Sequence, residues 1–169
     1  MRTRHVHEAL VVPVEALAVR LVTLDGKGSE AFVFLHTTSG RRFGPETLGE
    51  RLISGDALFL PCETVAGVEL VNLEQVAYLE CPPGLPEVAE LDEMSAFRAA
   101  AVLQLAHGET LSGELRYRLP PFSCRVSDLL NAAGERFLLL TARDRCWYVN
   151  RRAIVRVHED APVEVLSCR

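Results

Sequence analysis

Short segments of alternating hydrophobic and polar residues recur along this chain, and glycine, proline and polar turns separate them. Alternation with a period of two is typical of strands that bury one face. The clearest example is the stretch in which Val19, Leu21 and Thr23 occupy one side of an extended chain. The pattern predicts ten strands, at residues 9–24 (broken or at a sheet edge at Pro13), 31–36, 57–61, 68–72, 75–80, 101–105, 111–119, 136–141, 146–150 and 154–158.

Three short helical segments are predicted between these strands, at residues 46–52, at 87–97 after Pro86, and at 125–131. Ser127 or Asp128 is expected to cap the third helix, because their side-chain oxygens accept hydrogen bonds from N–H groups that a helix start leaves unpaired. Asn131 or Gly134 is expected to end it.

The same order of turns, one helical segment and strands occurs twice. The matching positions are Gly26 with Gly108, 47–52 with 126–131, 55–56 with 134–135, 58–60 with 137–139, and 71–72 with 149–150. The same offset of four residues then leads from each matching asparagine to Val76 and to Ile154. A recurring order of elements indicates a duplicated unit, here five short strands with one helical turn inserted.

Short strands leave unpaired edges unless their sheet closes, so each unit is predicted to be a small barrel. The chain is therefore expected to be all-β, with two tandem five-stranded barrels. The expected domains are residues 1–81 (a first barrel with an N-terminal extension), 82–96 (an acidic, proline-rich linker), 97–159 (a second barrel) and 160–169 (a tail).

The second unit resembles an Sm-like barrel. The run from Leu105 to Leu115, with glycines at 108 and 113, resembles the opening of that fold, and residues 137–141 and 148–157 are similar to its later strands. The turn at 125–131 also resembles an R-x-S-D-x-L-N signature of small uncharacterised bacterial domains. The resemblance covers about residues 102–157 and implies the fold, whereas the first unit follows it in outline. Sm proteins bind RNA through an Arg-Gly pair in their second motif, which the segment 150–153 lacks.

Charge is divided unevenly between the two units. Residues 16–81 carry 5 basic and 9 acidic side chains, and residues 82–96 carry 4 acidic side chains and none that are basic. Residues 97–159 carry 10 arginines, no lysine and 6 acidic side chains, although the whole chain has a net charge of −5. Opposed charges indicate an internal or homotypic electrostatic contact at least as strongly as contact with nucleic acid.

Arginine without lysine suits planar recognition of phosphate or carboxylate groups. The alternatives are a solvated surface, or pairing with the acidic first unit and linker. Trp147 and Tyr148 are adjacent on a strand, so one of them is expected to face solvent and to mark a contact site. The candidate residues for binding a ligand or partner are Arg116, Arg118, Arg125, Asp128, Trp147, Arg151 and Arg152.

Five cysteines, at positions 62, 81, 124, 146 and 168, are an odd number without a C-x-x-C pair, which favours buried apolar roles over disulfides or zinc ligation. His5 and His7 form only a weak metal pattern. Arg41 and Arg42 are similar to the arginine pair of PilZ-type cyclic di-GMP receptors, whose companion motif is absent. An enzyme would need a cleft that brings His36, His107 or Cys124 to a carboxylate.

No hydrophobic run approaches the roughly 18 residues that span a bilayer, and no uninterrupted signal-peptide core occurs near the start. A cytoplasmic bacterial protein without cofactor, metal or membrane contact is expected. The predicted function is that of a non-enzymatic regulatory or scaffold protein that contacts a protein partner or itself. The alternative is binding of nucleic acid, a nucleotide or another anionic ligand by the arginine-rich second barrel.

Overall fold

The computed structural model describes residues 14–40, 43–53, 58–95, 97–120, 122, 124–132, 134–160 and 164–165. The strands in these residues are β1 (Val14–Thr23), β2 (Gly28–His36), β3 (Phe59–Thr64), β4 (Gly67–Asn72), β5 (Val76–Cys81), β6 (Phe97–Leu105), β7 (Thr110–Tyr117), β8 (Phe137–Thr141), β9 (Cys146–Asn150), β10 (Ile154–Glu159) and β11 (Glu164–Val165). The helices are α1 (Leu48–Ile53), α2 (Pro86–Met94) and α3 (Val126–Asn131), with 3₁₀ turns at Leu73–Gln75 and Arg151–Ala153.

The strands form one antiparallel sheet in the order β10-β6-β7-β8-β9-β5-β1-β2-β3-β4, and β11 extends the pairing along β6. We call β1–β5 the first half and β6–β10 the second half. Both halves have the same internal strand order, with the fifth strand beside the first. The all-β prediction is therefore confirmed. The prediction of closed barrels is not, because the sheet continues from one half into the other through the pairing of β5 with β9.

Two hydrophobic cores lie against this sheet, and each takes side chains from both halves. The first core contains Phe137, Cys146 and Tyr148 of the second half. The second core contains Val22 and Tyr78 of the first half. Strands β5 and β9 are consequently buried on both faces, which places the junction of the halves in the interior of the molecule.

The ten strands predicted from alternation are all present in the described residues, with shifted ends, and β11 in the expected tail was not predicted. The segment expected to be a linker contains α2, which begins at Pro86 and buries the side chains of Leu85 and Glu87. Several sequence predictions fall outside the described residues: those for residues 1–13 (including His5 and His7), Arg41 and Arg42, the turn at 55–56, and Cys168.

The strand register corrects the alignment of the two halves by one residue. Phe59 lies opposite Asn72 in β3 and β4, and Phe137 lies opposite Asn150 in β8 and β9. Phe59 therefore corresponds to Phe137, whereas the sequence alignment matched residue 58 to it. Because a shift of one residue exchanges the two faces of a strand, this correction decides which side chains of the halves are equivalent.

Candidate protein interaction surface

An apolar surface lies on the outer face of the sheet beside its β4 edge. Phe32 of β2 and Val68 of β4 lie in one cross-strand row, on either side of Glu63. Leu70 lies in the next row opposite Pro61, and Phe59 lies on the same face of β3. The exposed fractions of Phe32, Phe59, Val68 and Leu70 are 48%, 51%, 70% and 69%. We call these four residues the β4 patch.

Alternation along the strands explains why these side chains point outward. Val33, Leu60 and Cys62 occupy the intervening positions and are buried in the first core. The opposite face is therefore left to solvent. Strand β4 pairs only with β3 among the described residues, so its second row of backbone N–H and C=O groups is unpaired there. Contiguous exposed apolar side chains beside an open strand edge are typical of a surface that contacts another protein.

The equivalent surface of the second half is covered. Phe137, Cys146 and Tyr148 correspond to Phe59, Val68 and Leu70, and their exposed fractions are 4%, 2% and 5%. They pack in the first core, beneath the helices α1 and α2. The difference between the halves is thus that the second has a neighbour on this face, whereas the first has none among the described residues.

Tyr148 shows how closely the covered surface fits. Its hydroxyl donates a hydrogen bond of 2.9 Å to a carboxylate oxygen of Glu87 in α2. A Cβ atom on Gly49 of α1 would lie 2.8 Å from the Tyr148 hydroxyl oxygen, so glycine leaves room for the ring. Burial, followed by the charge of Glu87, raises the pKa of Tyr148 far above its usual range. The hydroxyl remains a hydrogen-bond donor at any physiological pH.

Polar contacts also join the two halves. Asn150 is completely buried and donates from Nδ2 to the carbonyl oxygens of Val76 (2.8 Å) and Leu73 (3.4 Å). The hydroxyl of Tyr78 lies 3.0 Å from both carboxylate oxygens of Glu109. These contacts satisfy polar groups that the junction removes from water.

The opposed charges of the halves meet in ion pairs at this junction. Arg145 lies 3.2 Å from Glu80, and Arg152 lies 3.2 Å from Glu74. The internal pairing that the sequence left as one alternative is therefore present. Both pairs are partly exposed, so they orient the halves more than they stabilise them.

The structure gives structural partners to several arginines predicted to bind a ligand. Arg116 forms an ion pair of 2.6 Å with Glu114. Arg151 donates from Nη1 to the carbonyl oxygens of Ala132 (2.7 Å) and Leu130 (3.4 Å), at the end of α3. With Arg152 paired to Glu74, these three guanidinium groups already have partners within the chain.

The other predicted residues apart from Trp147 lie after the end of β7 and at the start of α3. Arg118 follows β7 and Arg125 precedes α3, and both are exposed. Asp128 acts at the start of α3, where its carboxylate accepts a hydrogen bond of 3.0 Å from the backbone N–H of Arg125. This agrees with its interpretation as a helix cap. Arg116, Arg118 and Arg151 nevertheless line one cleft of about 350 Å³ between β7, α3 and β8.

The expectation that Trp147 or Tyr148 faces solvent is wrong. Their exposed fractions are 7% and 5%, and the indole N–H of Trp147 donates to Glu80 over 3.3 Å. Alternation does place them on opposite faces of β9. Because β9 is an interior strand with a core on each side, neither face reaches water.

Cys62, Cys81 and Cys146 are buried, as expected for small apolar residues. Cys81 and Cys146 lie directly opposite each other where β5 meets β9. The hydrogen bond with the Cys146 thiol, together with burial, holds the pKa of Cys81 far above its usual range. Burial likewise raises the pKa of Cys62 to about 11. Both thiols are therefore neutral near pH 7, which is unsuited to thiolate chemistry.

Of the three residues that an enzyme interpretation would bring to a carboxylate, His107 has one as its hydrogen-bond neighbour. The ring of His36 lies 3.5 Å from Arg51, and His107 lies 3.0 Å from Glu109. The carbonyl oxygen of Cys124 accepts a hydrogen bond from Tyr117. Within the described part of the chain, no group of three His, Cys, Asp or Glu side chains has the spacing of a metal site.

Comparison with known proteins gives no relative: no protein family, no curated protein and no solved structure matches the chain. Among the described helices, none has the length and apolar character needed to cross a membrane.

Sequence reasoning missed the β4 patch. Val68 and Leu70 alternate with Glu69 in a segment correctly predicted as a strand, so its amphipathic pattern was visible. The sequence pattern does not show that β4 lies at the end of the sheet. That position, together with a face that no described helix covers, makes the outer side chains accessible to another molecule.

Proposed function

We propose that this chain is a non-enzymatic regulatory or scaffold protein, built from two Sm-like units, that binds a protein through the β4 patch and the adjoining strand edge. The observation that carries the proposal is the exposure of Val68 and Leu70 (70% and 69%) beside an edge that no described strand covers. The repeated strand order within the two halves supports their origin from one unit.

An open edge suits recognition by addition of a strand. Main-chain hydrogen bonds supply affinity in this mode, and side chains alternating along the added strand supply specificity. Complete burial of a Val, Leu or Phe side chain contributes about 1.5–3 kcal/mol. The four side chains of the β4 patch are enough to anchor a contact after part of that gain is offset by lost motional freedom.

Photo-crosslinking in the host cell tests the proposal. A photoreactive amino acid in place of Leu70 is expected to form a covalent adduct with a protein, which mass spectrometry then identifies. The same amino acid in place of Met94, an exposed apolar residue of α2, is the matched control. The adduct should disappear when Val68→Lys is added, because the lysine charge would have to be desolvated in the contact. Equal labelling from positions 70 and 94 would contradict the proposal.

A second candidate function is binding of an anionic ligand or single-stranded nucleic acid by the cleft that Arg116, Arg118 and Arg151 line. Three guanidinium groups beside one cleft favour it. Arg118 is exposed, and no hydrogen bond or ion pair joins its guanidinium group to the described residues, so its charge is available to a phosphate.

A short single-stranded RNA is the probe for this second function. If the cleft binds it, Arg118→Ala is expected to weaken binding and to reduce the slope of log K against log salt by about 0.7, the value for one lost phosphate contact. Arg143→Ala, which removes an exposed arginine outside the cleft, should leave both quantities nearly unchanged. An identical slope for the wild type and Arg118→Ala would exclude this cleft as the binding site.

A further inference from the structure

The two ends of the sheet correspond to the two strands that join the halves inside the molecule. The junction pairs β5, the last strand of the first half, with β9, the fourth strand of the second half. At the ends of the sheet, β10 is the last strand of the second half and β4 is the fourth strand of the first. Each end therefore carries one side of the contact that the interior already makes.

Equivalent positions in the interior strands and in the end strands differ in exposure, because the end strands lack a neighbouring strand among the described residues. On the fourth strands, Tyr148 is 5% exposed and its equivalent Leu70 is 69% exposed. On the fifth strands, Ala77 is buried completely and its equivalent Val155 is 60% exposed. At each end of the sheet, a position that is buried at the junction is therefore exposed.

A cleft at the β10 end has the position needed to accept the side chain of Leu70. Inside the molecule, Tyr148 packs beside Gly49 of α1. The first residues of α1 and α3, Leu48 and Val126, are both buried in their cores, so Ser127 is the equivalent of Gly49. A cleft of about 360 Å³ opens between α3 and β10 at this place. Its apolar lining comes from Val126, Leu130, Ile154, Val155 and Val157, and four polar or charged side chains complete it.

Polar groups at the β4 end are placed like the polar groups of the junction between β5 and β9. At the junction, Asn150 donates from Nδ2 to two carbonyl oxygens of the other half. Its equivalent, Asn72, accepts from the N–H of Glu74 in the same way as Asn150 accepts from Arg152. Among the described residues, however, none accepts a hydrogen bond from the Nδ2 of Asn72. The charges agree as well, because β4 belongs to the acidic unit and β10 to the arginine-rich one.

We propose that copies of this chain associate head to tail, with β4 of one molecule paired antiparallel to β10 of the next. The junction register, in which Leu79 lies opposite Tyr148, places Leu70 opposite Val157 of the neighbouring copy and His158 opposite Glu69. Leu70 then occupies the cleft between α3 and β10. The proposal rests on the proposed function and names its partner as a second copy. Because the two contacting surfaces differ, the contact repeats until a ring closes or a filament forms.

Two double variants, one for each edge, test the arrangement. Val68→Lys with Leu70→Lys puts positive charge on the surface that meets the arginine-rich unit. Val155→Glu with Arg156→Glu puts negative charge on the surface that meets the acidic unit. All four positions are exposed, so the fold is retained, and circular dichroism checks this. Met94→Lys is the matched control, since it removes an exposed apolar residue outside both edges.

Light scattering after size-exclusion chromatography measures the mass of each assembly, and the following results are expected. The wild type and Met94→Lys have the mass of several chains, and each edge variant alone has the mass of one. An equimolar mixture of the two edge variants associates again, because each molecule keeps one intact edge that fits the intact edge of the other variant. Multimers of the β10-edge variant, or a mixture that remains monomeric, would show that the contact is not head to tail.

A monomeric wild type at all concentrations overturns the self-association itself. The crosslinking experiment then separates the two proposals. If Leu70 captures a different protein in cells, the proposed function stands and the partner named here is wrong. If it captures nothing beyond the labelling seen at Met94, both proposals fail.

Discussion

Asn150→Ala is expected to lower the free energy of unfolding by about 2–4 kcal/mol. The amide is completely buried and donates hydrogen bonds to Val76 and Leu73 while its oxygen accepts one from the N–H of Arg152. Alanine leaves these backbone groups inside the junction without a partner, and each such group costs about 1–3 kcal/mol. Because the groups come from both halves, the substitution loosens the junction together with the turn after β9.

Asn72→Ala is the matched control. Asn72 occupies the equivalent position, is only half-buried, and accepts one hydrogen bond of 2.9 Å from Glu74. Its loss should cost about 0.5–2 kcal/mol, as for an ordinary cap. Urea denaturation of both variants in the Val68→Lys, Leu70→Lys background measures the difference without a contribution from association. Equal costs at the two positions would mean that the junction carbonyl groups do not depend on Asn150.

Most strands were predictable because their signal is local. Alternation in the segments that form β1 and β4, and the turn residues between strands, depend only on neighbours in the chain. The matching Val71-Asn72 and Val149-Asn150 pairs also marked equivalent positions in the two halves, because each asparagine caps a 3₁₀ turn through its own side chain.

The arrangement of the strands was not predictable from the same pattern. A strand with apolar residues on both faces, such as β9, is consistent with an interior position, but nothing in residues 146–150 indicates that β5 is its neighbour. The prediction of closed barrels assumed that each unit satisfies its own edges. In the structure one edge of each unit is satisfied by the other, through contacts between residues far apart in sequence, such as Glu87 and Tyr148.

The candidate site was likewise predictable only in part. The excess of arginine in residues 97–159 was visible, but whether a given arginine is available depends on its distance from an acidic group in the fold. Arg152 is paired to Glu74, 78 residues earlier in the chain, whereas Arg118 is not paired among the described residues. The β4 patch depends on the position of β4 at the end of the described sheet, which no local pattern records.

Gly113→Ala is expected to destabilise the protein by about 3 kcal/mol, through overpacking where β7 crosses β8. A Cβ atom at this position would lie 2.6 Å from the carbonyl oxygen of Thr141 and 2.9 Å from the Leu140 side chain. The nearer atom belongs to the backbone and cannot move without displacing β8. Only two residue pairs, at Glu114 and Leu115 of β7, join these strands, so a displacement there interrupts the sheet.

Gly40→Ala separates this clash from the general effect of replacing glycine. Neither Gly113 nor Gly40 has a positive φ, and a Cβ atom on Gly40 would meet nothing within 4 Å. Gly40→Ala should therefore be neutral, or stabilising by up to about 1 kcal/mol, because alanine restricts the unfolded chain. Thermal and urea unfolding of both variants measure the comparison. A Gly113→Ala protein as stable as Gly40→Ala would mean that β7 and β8 can separate without cost, and that the close approach at Thr141 does not hold this part of the sheet together.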